Sequence, residues 1–115
     1  MNNVCITGRI VRKPELRYLP HNGTALTNFT VAIDKMLSKE KKQEMEAKGQ
    51  NTADFIPITV WGKTAESCVK YLDKGVLVGI QGRIQTNNYT TDKGEKRTSF
   101  DVVANNVEFM EWIED

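Results

Sequence analysis

Cysteine and histidine are scarce in this chain of 115 residues, which holds two cysteines and one histidine. Cys5 and Cys68 form no C-x-x-C pair and no ligand-spaced cluster, so a metal centre is unsupported and no metal or other cofactor is expected. Both are expected to be small buried thiols in a reducing compartment. No window approaches 18 consecutive apolar residues, which excludes a membrane-spanning helix. The start, Met1-Asn2-Asn3-Val4, lacks the basic region and apolar core of an export signal. The expected location is therefore cytoplasmic. The combination of low hydrophobicity and high net charge that marks disorder is also missing, with 39% hydrophobic residues and a formal charge of +1. The length leaves room for one domain with one modest core.

What is present is mostly period-two alternation. Residues 3–12 place Val4, Ile6 and Ile10 on one parity, with Gly8 marking a bend or bulge. Leu16 to Leu19 form a short return segment before the turn signal Pro20-His21-Asn22-Gly23. Residues 25–36 alternate through Thr27, Phe29, Val31 and Ile33. Residues 38–51 are nearly devoid of apolar side chains and read either as a short exposed helix or as a long hairpin loop. Residues 54–62 put Ile56, Ile58 and Val60 on one face and Phe55, Pro57, Thr59 and Trp61 on the other. The period then changes: Ala65, Cys68, Val69 and Leu72 make a helical stripe, with Thr64 as candidate N-cap and Gly75 just past its end. Residues 76–89 return to alternation, with Val78, Ile80 and Ile84 on one face. A hairpin tip at 90–96 leads to a last strand over 97–110. There Phe100, Val102 and Ala104 share a parity opposite to Val107 and Phe109, which a bulge at Asn105-Asn106 would reconcile. The order predicts an all-β OB-fold, a five-stranded Greek-key barrel with one helix between strands 3 and 4. An unclosed α+β sheet is the structural alternative.

The small net charge is a cancellation. All 16 Lys and Arg lie at or before Arg97, beside ten of the 15 acids, whereas the last eighteen residues hold five acids and no base. The basic body suits a polyanion. Phe55 and Trp61 share the polar face of one strand, and Tyr89 shares parity with Arg83 on another. Such aromatics either pack under a loop or at a subunit contact, or they stack on bases. Stacking needs exposed base faces, which a duplex hides, so the second account predicts a single-strand binder. Candidate phosphate contacts are Arg9, Arg17, Lys39, Lys42, Lys63, Arg83, Lys93 and Arg97. Nothing in the sequence suggests catalysis. It has no Gly-rich phosphate loop before a helix and no paired-carboxylate spacing, and its lone His21 sits in a turn. Asp34 and Asp54 flank the 38–51 segment but are too isolated to argue for a metal.

Four segments carry a family resemblance: Val4-Cys5-Ile6-Thr7-Gly8-Arg9-Ile10; Pro14-Glu15-Leu16-Arg17-Tyr18; residues 55–66 from Phe55 through Trp61-Gly62-Lys63-Thr64-Ala65-Glu66; and Tyr71-Leu72 with Lys74-Gly75 and Val78 through Thr86. Together, over residues 2–110, they resemble the bacterial-type single-stranded DNA-binding proteins of bacteria and phages. The resemblance implies an OB-fold, sequence-tolerant binding of single-stranded DNA, no catalysis and a homotetramer. It also implies base stacking by Phe55, Trp61 and Tyr89, and a setting in the bacterial nucleoid or, if phage-encoded, the host cytoplasm. The family's aromatic at the start of the long loop is replaced by Met36-Leu37, so Leu37 would pack more weakly there, with Lys39, Lys41, Lys42 and Lys48 offsetting the loss. Residues 1–110 are expected to be the binding domain and 111–115 a short acidic end. That end is either a vestige of the family's acidic tip, which follows a long linker and recruits replication and recombination proteins, or an edge that packs on the barrel with Trp112 buried. An apolar set at Val4, Cys5, Val11 and Leu77 suits a strand-mediated subunit contact or, alternatively, the interior of the barrel. Two competing functions stay open: an OB-fold protein-interaction subunit of a replication or primosome complex, and an RNA-binding OB protein.

Overall fold

A computed structural model describes residues 1–111. The elements follow the alternation: β1 (Val4–Ile10), β2 (Glu15–Tyr18), β3 (Ala25–Asp34), α1 (Lys39–Ala47), β4 (Ala53–Trp61), α2 (Gly62–Tyr71), β5 (Leu77–Thr90) and β6 (Lys96–Phe109). The apolar parity of each main strand turns inward. Phe29 and Val31 of β3 oppose Ile58 and Ile56 of β4. With Ile10, Val60, Val78, Ile80, Val102 and Val107 they build the core. The helix stripe adds Ala65, Cys68 and Leu72, all fully buried. β4 runs into α2 without a loop because Gly62 takes a positive φ of 71°. The N-cap is consequently Trp61, with no side-chain cap bond, and not Thr64.

The architecture corrects the expected five-stranded Greek-key barrel. Six strands form one sheet in the order β1-β5-β6-β4-β3-β2, with a further pairing of β1 to β3. The sixth strand is the return segment, which pairs with β3 over four residues from Glu15↔Asn28 to Tyr18↔Ala25. Its turn is closed by the Leu19 carbonyl accepting from Gly23 N–H at 2.8 Å and by Leu19 N–H donating to the Thr24 carbonyl at 2.9 Å. Neighbours run antiparallel except β4 and β6, which run parallel at Ile58↔Val102 and Thr59↔Val103. There are also two helices, not one, among the described residues. The polar 38–51 segment forms α1, whose Ser38 side chain accepts from Lys41 N–H, and no residue of α1 is buried. Its Lys- and Glu-rich composition supports a helix that needs no core.

The bulge in the last strand falls where the pattern places it, and the one expected at Gly8 does not occur. β6 carries an unpaired Asn105: Gln81 faces Asn106 and the next residue, Gly82, faces Ala104. This bulge lets Val102 and Val107, of opposite parity, both reach the core. β1 shows no register shift at Gly8. The glycine is needed there for a close approach, since a Cβ would lie 2.6 Å from the Ala32 carbonyl oxygen of β3. Among the described residues no helix is long and apolar enough to cross a membrane. Residues 112–115, with Trp112, lie outside the described residues.

The two thiols differ, which corrects the expectation for Cys5. It lies on the outward parity of β1 and is exposed, whereas Cys68 is buried beneath α2. Burial pushes the Cys68 thiol up to about 12. Cys68 is therefore expected to react with a thiol-directed dye only after denaturation. Two fast thiols would contradict this packing.

Candidate nucleic-acid interface

The candidate surface is the sheet face turned away from the core, and strand register assembles it. Opposed residues in adjacent strands project to the same side. One row therefore runs Arg17, Leu26, Trp61, the next Glu15, Asn28, Thr59, and another joins Ala32 to Phe55. Phe55 and Trp61 lie at opposite ends of β4, roughly 20 Å apart at strand rise, and are 48% and 41% exposed. The long β5–β6 hairpin continues this face through Gln85↔Asp101, Asn87↔Ser99 and Tyr89↔Arg97. Tyr89 is exposed.

Between them lies an open groove of about 870 Å³, walled by Arg12 and Lys13 of the β1–β2 connection, Asn28, Phe55, Pro57 and Thr59 of the sheet, and Asn87, Phe100 and Asp101 of the hairpin. Of the predicted aromatics only Phe55 lines it. Trp61 stands at the far end of β4, and Tyr89 with Arg97 lines a smaller depression on the hairpin. Arg17 is tied to Asn28, and Arg97 to Glu95. Arg83 shares the hairpin face and acts electrostatically on Asp101. Lys39 and Lys42 are exposed on α1, Lys63 on the first turn of α2, and Lys93 at the hairpin tip. Leu37 is half-buried. Arg9 stands apart from the groove: its guanidinium donates to the Gly75 carbonyl at 2.9 Å and to Glu111 at 3.0 Å. Glu111 also accepts from Leu77 N–H at 2.9 Å. That backbone bond, then the hydrogen bond and charge of Arg9, hold the Glu111 carboxyl below its usual range.

Sequence reasoning missed several groove residues. Phe100 shares parity with Val102 and reads as core, yet it is 47% exposed because the hairpin extends past the end of the core. Arg12 and Lys13 occupy a connection that alternation does not describe. Asp101 is buried at the base of the groove. Burial opposes its ionisation, but hydrogen bonds from Thr59, Asn87 and Gln85, together with the charge of Arg83, outweigh burial and hold its carboxyl below the usual range. No set of three or more metal-ligating side chains occurs among the described residues.

Exposed rings and cations thus stand along one sheet face beside an open groove. Comparisons with known proteins give the family. The profile of the single-strand binding protein family matches residues 1–110. Single-stranded DNA-binding protein 2 of Clostridium acetobutylicum is 48% identical over 115 residues, covering 100% of this chain and 80% of that protein. The single-stranded DNA-binding protein of Clostridium tetani is 47% identical over 112 residues, covering 97% of this chain and 72% of its own length. That of Halalkalibacterium halodurans is 42% identical over 111 residues, covering 96% and 61%. The chain belongs to the single-strand binding protein family.

Proposed function

We infer that this protein binds single-stranded DNA without catalysing a reaction, protecting it during replication, recombination or repair. The observation that carries the mechanism is the placement of Phe55 and Trp61, both half-exposed, on the one face of β4 that the core does not use. Bases stack on Phe55, Trp61 and Tyr89, with Phe100, which lines the groove with Phe55, as a fourth platform. Each stacked base contributes about 1–3 kcal/mol with little regard to sequence. Arg17, Lys63, Arg83, Lys93 and Arg97 meet the phosphates, Lys39 and Lys42 do so from α1, and Leu37 packs against a base or sugar. Arg9 contributes only by leaving Glu111. Residues 1–110 are the binding domain.

One groove of this size holds a short stretch of strand, and assembly multiplies it. A homotetramer fits this need. Val4, Val11 and Leu77 are only half-buried and Cys5 is exposed. The edge of β1 from Val4 to Gly8 has no ladder partner besides β5 among the described residues. The setting that fits is the cytoplasm, with replication or recombination proteins as partners.

The test is fluorescence anisotropy of labelled oligo-dT against oligo-U and a duplex of equal length. Oligo-dT is expected to bind with an affinity that falls as salt rises, and the duplex to bind far more weakly. Preference for oligo-U would reassign the protein to RNA, and equal binding of duplex would remove stacking from the account. In the same assay the charge reversals K39E and K42E are expected to lower the steepness of log affinity against log salt, by roughly 0.7 for each phosphate that is no longer neutralised. An unchanged slope would return α1 to ordinary solvated surface.

A further inference from the structure

A carboxylate at the base of a phosphate-binding groove works against its purpose, and Asp101 is one, buried to 9% exposure. Its two oxygens are both turned to the protein. Oδ2 accepts from the Thr59 hydroxyl, and Oδ1 accepts from the Asn87 amide at 3.0 Å. The Thr59 oxygen in turn accepts from the Asn28 amide at 2.8 Å, and Asn28 Oδ1 accepts from the guanidinium of Arg17. Four hydrogen bonds thus cross five strands, β2, β3, β4, β6 and β5.

The polarity of this chain follows from chemistry. Arg17 can only donate, so Asn28 must turn its oxygen to Arg17 and its amino group to Thr59. Thr59 has a single hydrogen, which goes to Asp101. Only a group that accepts on both sides can end a chain fed from Thr59 and Asn87, and a carboxylate does so. Thr59 is itself 5% exposed, so the link cannot easily be replaced by water.

We propose that Asp101 is a positioning residue for the binding face, acting through Thr59 and Asn28 to hold the Arg17 guanidinium in its phosphate-binding orientation. The proposal rests on the reading of this face as the single-strand site. It gives an acid a role beneath a face that takes an anion: the inner link sets the outer cation, with each carboxylate oxygen bonded to the protein. The depressed carboxyl range agrees, since the carboxylate form is the double acceptor.

The test is a double-mutant cycle read by oligo-dT affinity, comparing the cost of R17M in four backgrounds: wild type, T59S, T59V and D101S. T59S keeps the hydroxyl. T59V keeps the shape and removes the link. D101S replaces the two-oxygen acceptor by a shorter hydroxyl and serves if T59V does not fold, with folding followed by thermal melting. R17M is expected to cost roughly tenfold in affinity in wild type and T59S, and less than twofold in T59V and D101S. The same factor in every background overturns the positioning role, as does an R17M variant indistinguishable from wild type. Wild-type protein that fails to bind oligo-dT at all would overturn the single-strand reading itself, so the two failures are distinguishable.

Discussion

Replacing Phe55 and Trp61 together by alanine is expected to weaken oligo-dT binding by about 2–6 kcal/mol, the sum of two stacked bases. That corresponds to roughly a 30-fold to more than a 10,000-fold loss. The two rings sit at opposite ends of β4 and share no partner, so their effects should add. Both are half-exposed and neither belongs to the core cluster, so the fold should survive. The loss should also be similar for oligo-dT and oligo-dC, because stacking does not read base edges. Equilibrium anisotropy on each single variant and on the double checks the additivity, with circular dichroism as the control for folding. Folded variants that bind like wild type would return both rings to packing or subunit contact.

The second large effect is structural and falls on Gly82. A Cβ there would lie 2.0 Å from the Val103 carbonyl oxygen, 2.9 Å from its carbon and 3.0 Å from the Ala104 Cα. These are backbone atoms of the neighbouring strand and cannot swing aside. The site is also where β6 bulges at Asn105, so the ladder has already been adjusted once. G82A is expected to destabilise the protein by about 3 kcal/mol or more, by forcing β5 and β6 apart. Gly79, three residues earlier on the same strand, supplies the control. A Cβ there meets the methyl end of the flexible Met110 side chain at 3.0 Å, so G79A should cost under about 1 kcal/mol. Urea unfolding of the two variants separates them. Equal stability would mean that the close approach at Gly82 is not rigid.

The face bearing Phe55 and Trp61 could be read from the chain because period-two alternation assigns sides without knowledge of neighbours. The helix stripe Ala65, Cys68, Leu72 and the bulge at Asn105 were legible for the same reason, as local patterns with one geometric solution. The sheet as a whole was not. Glu15–Tyr18 is four residues long, and its identity as a strand comes from pairing with β3, not from its own sequence. Cys5 reads as apolar, but its position on the outer parity of β1 leaves it exposed. Phe100 obeys the core parity and is still solvent-facing, because the core ends before the hairpin does. The chain of hydrogen bonds from Arg17 to Asp101 joins residues up to 42 positions apart at a single link. Its members are ordinary polar residues until register brings them together.

The central claim is that single-stranded DNA lies on the sheet face with a base against Trp61. It is tested most directly in a W112F variant, in which Trp61 becomes the only one of the chain's two tryptophans. Titration with oligo-dT at low salt should quench its fluorescence to a plateau, and added salt should reverse the quenching. Unchanged Trp61 emission while labelled oligo-dT is bound would contradict it.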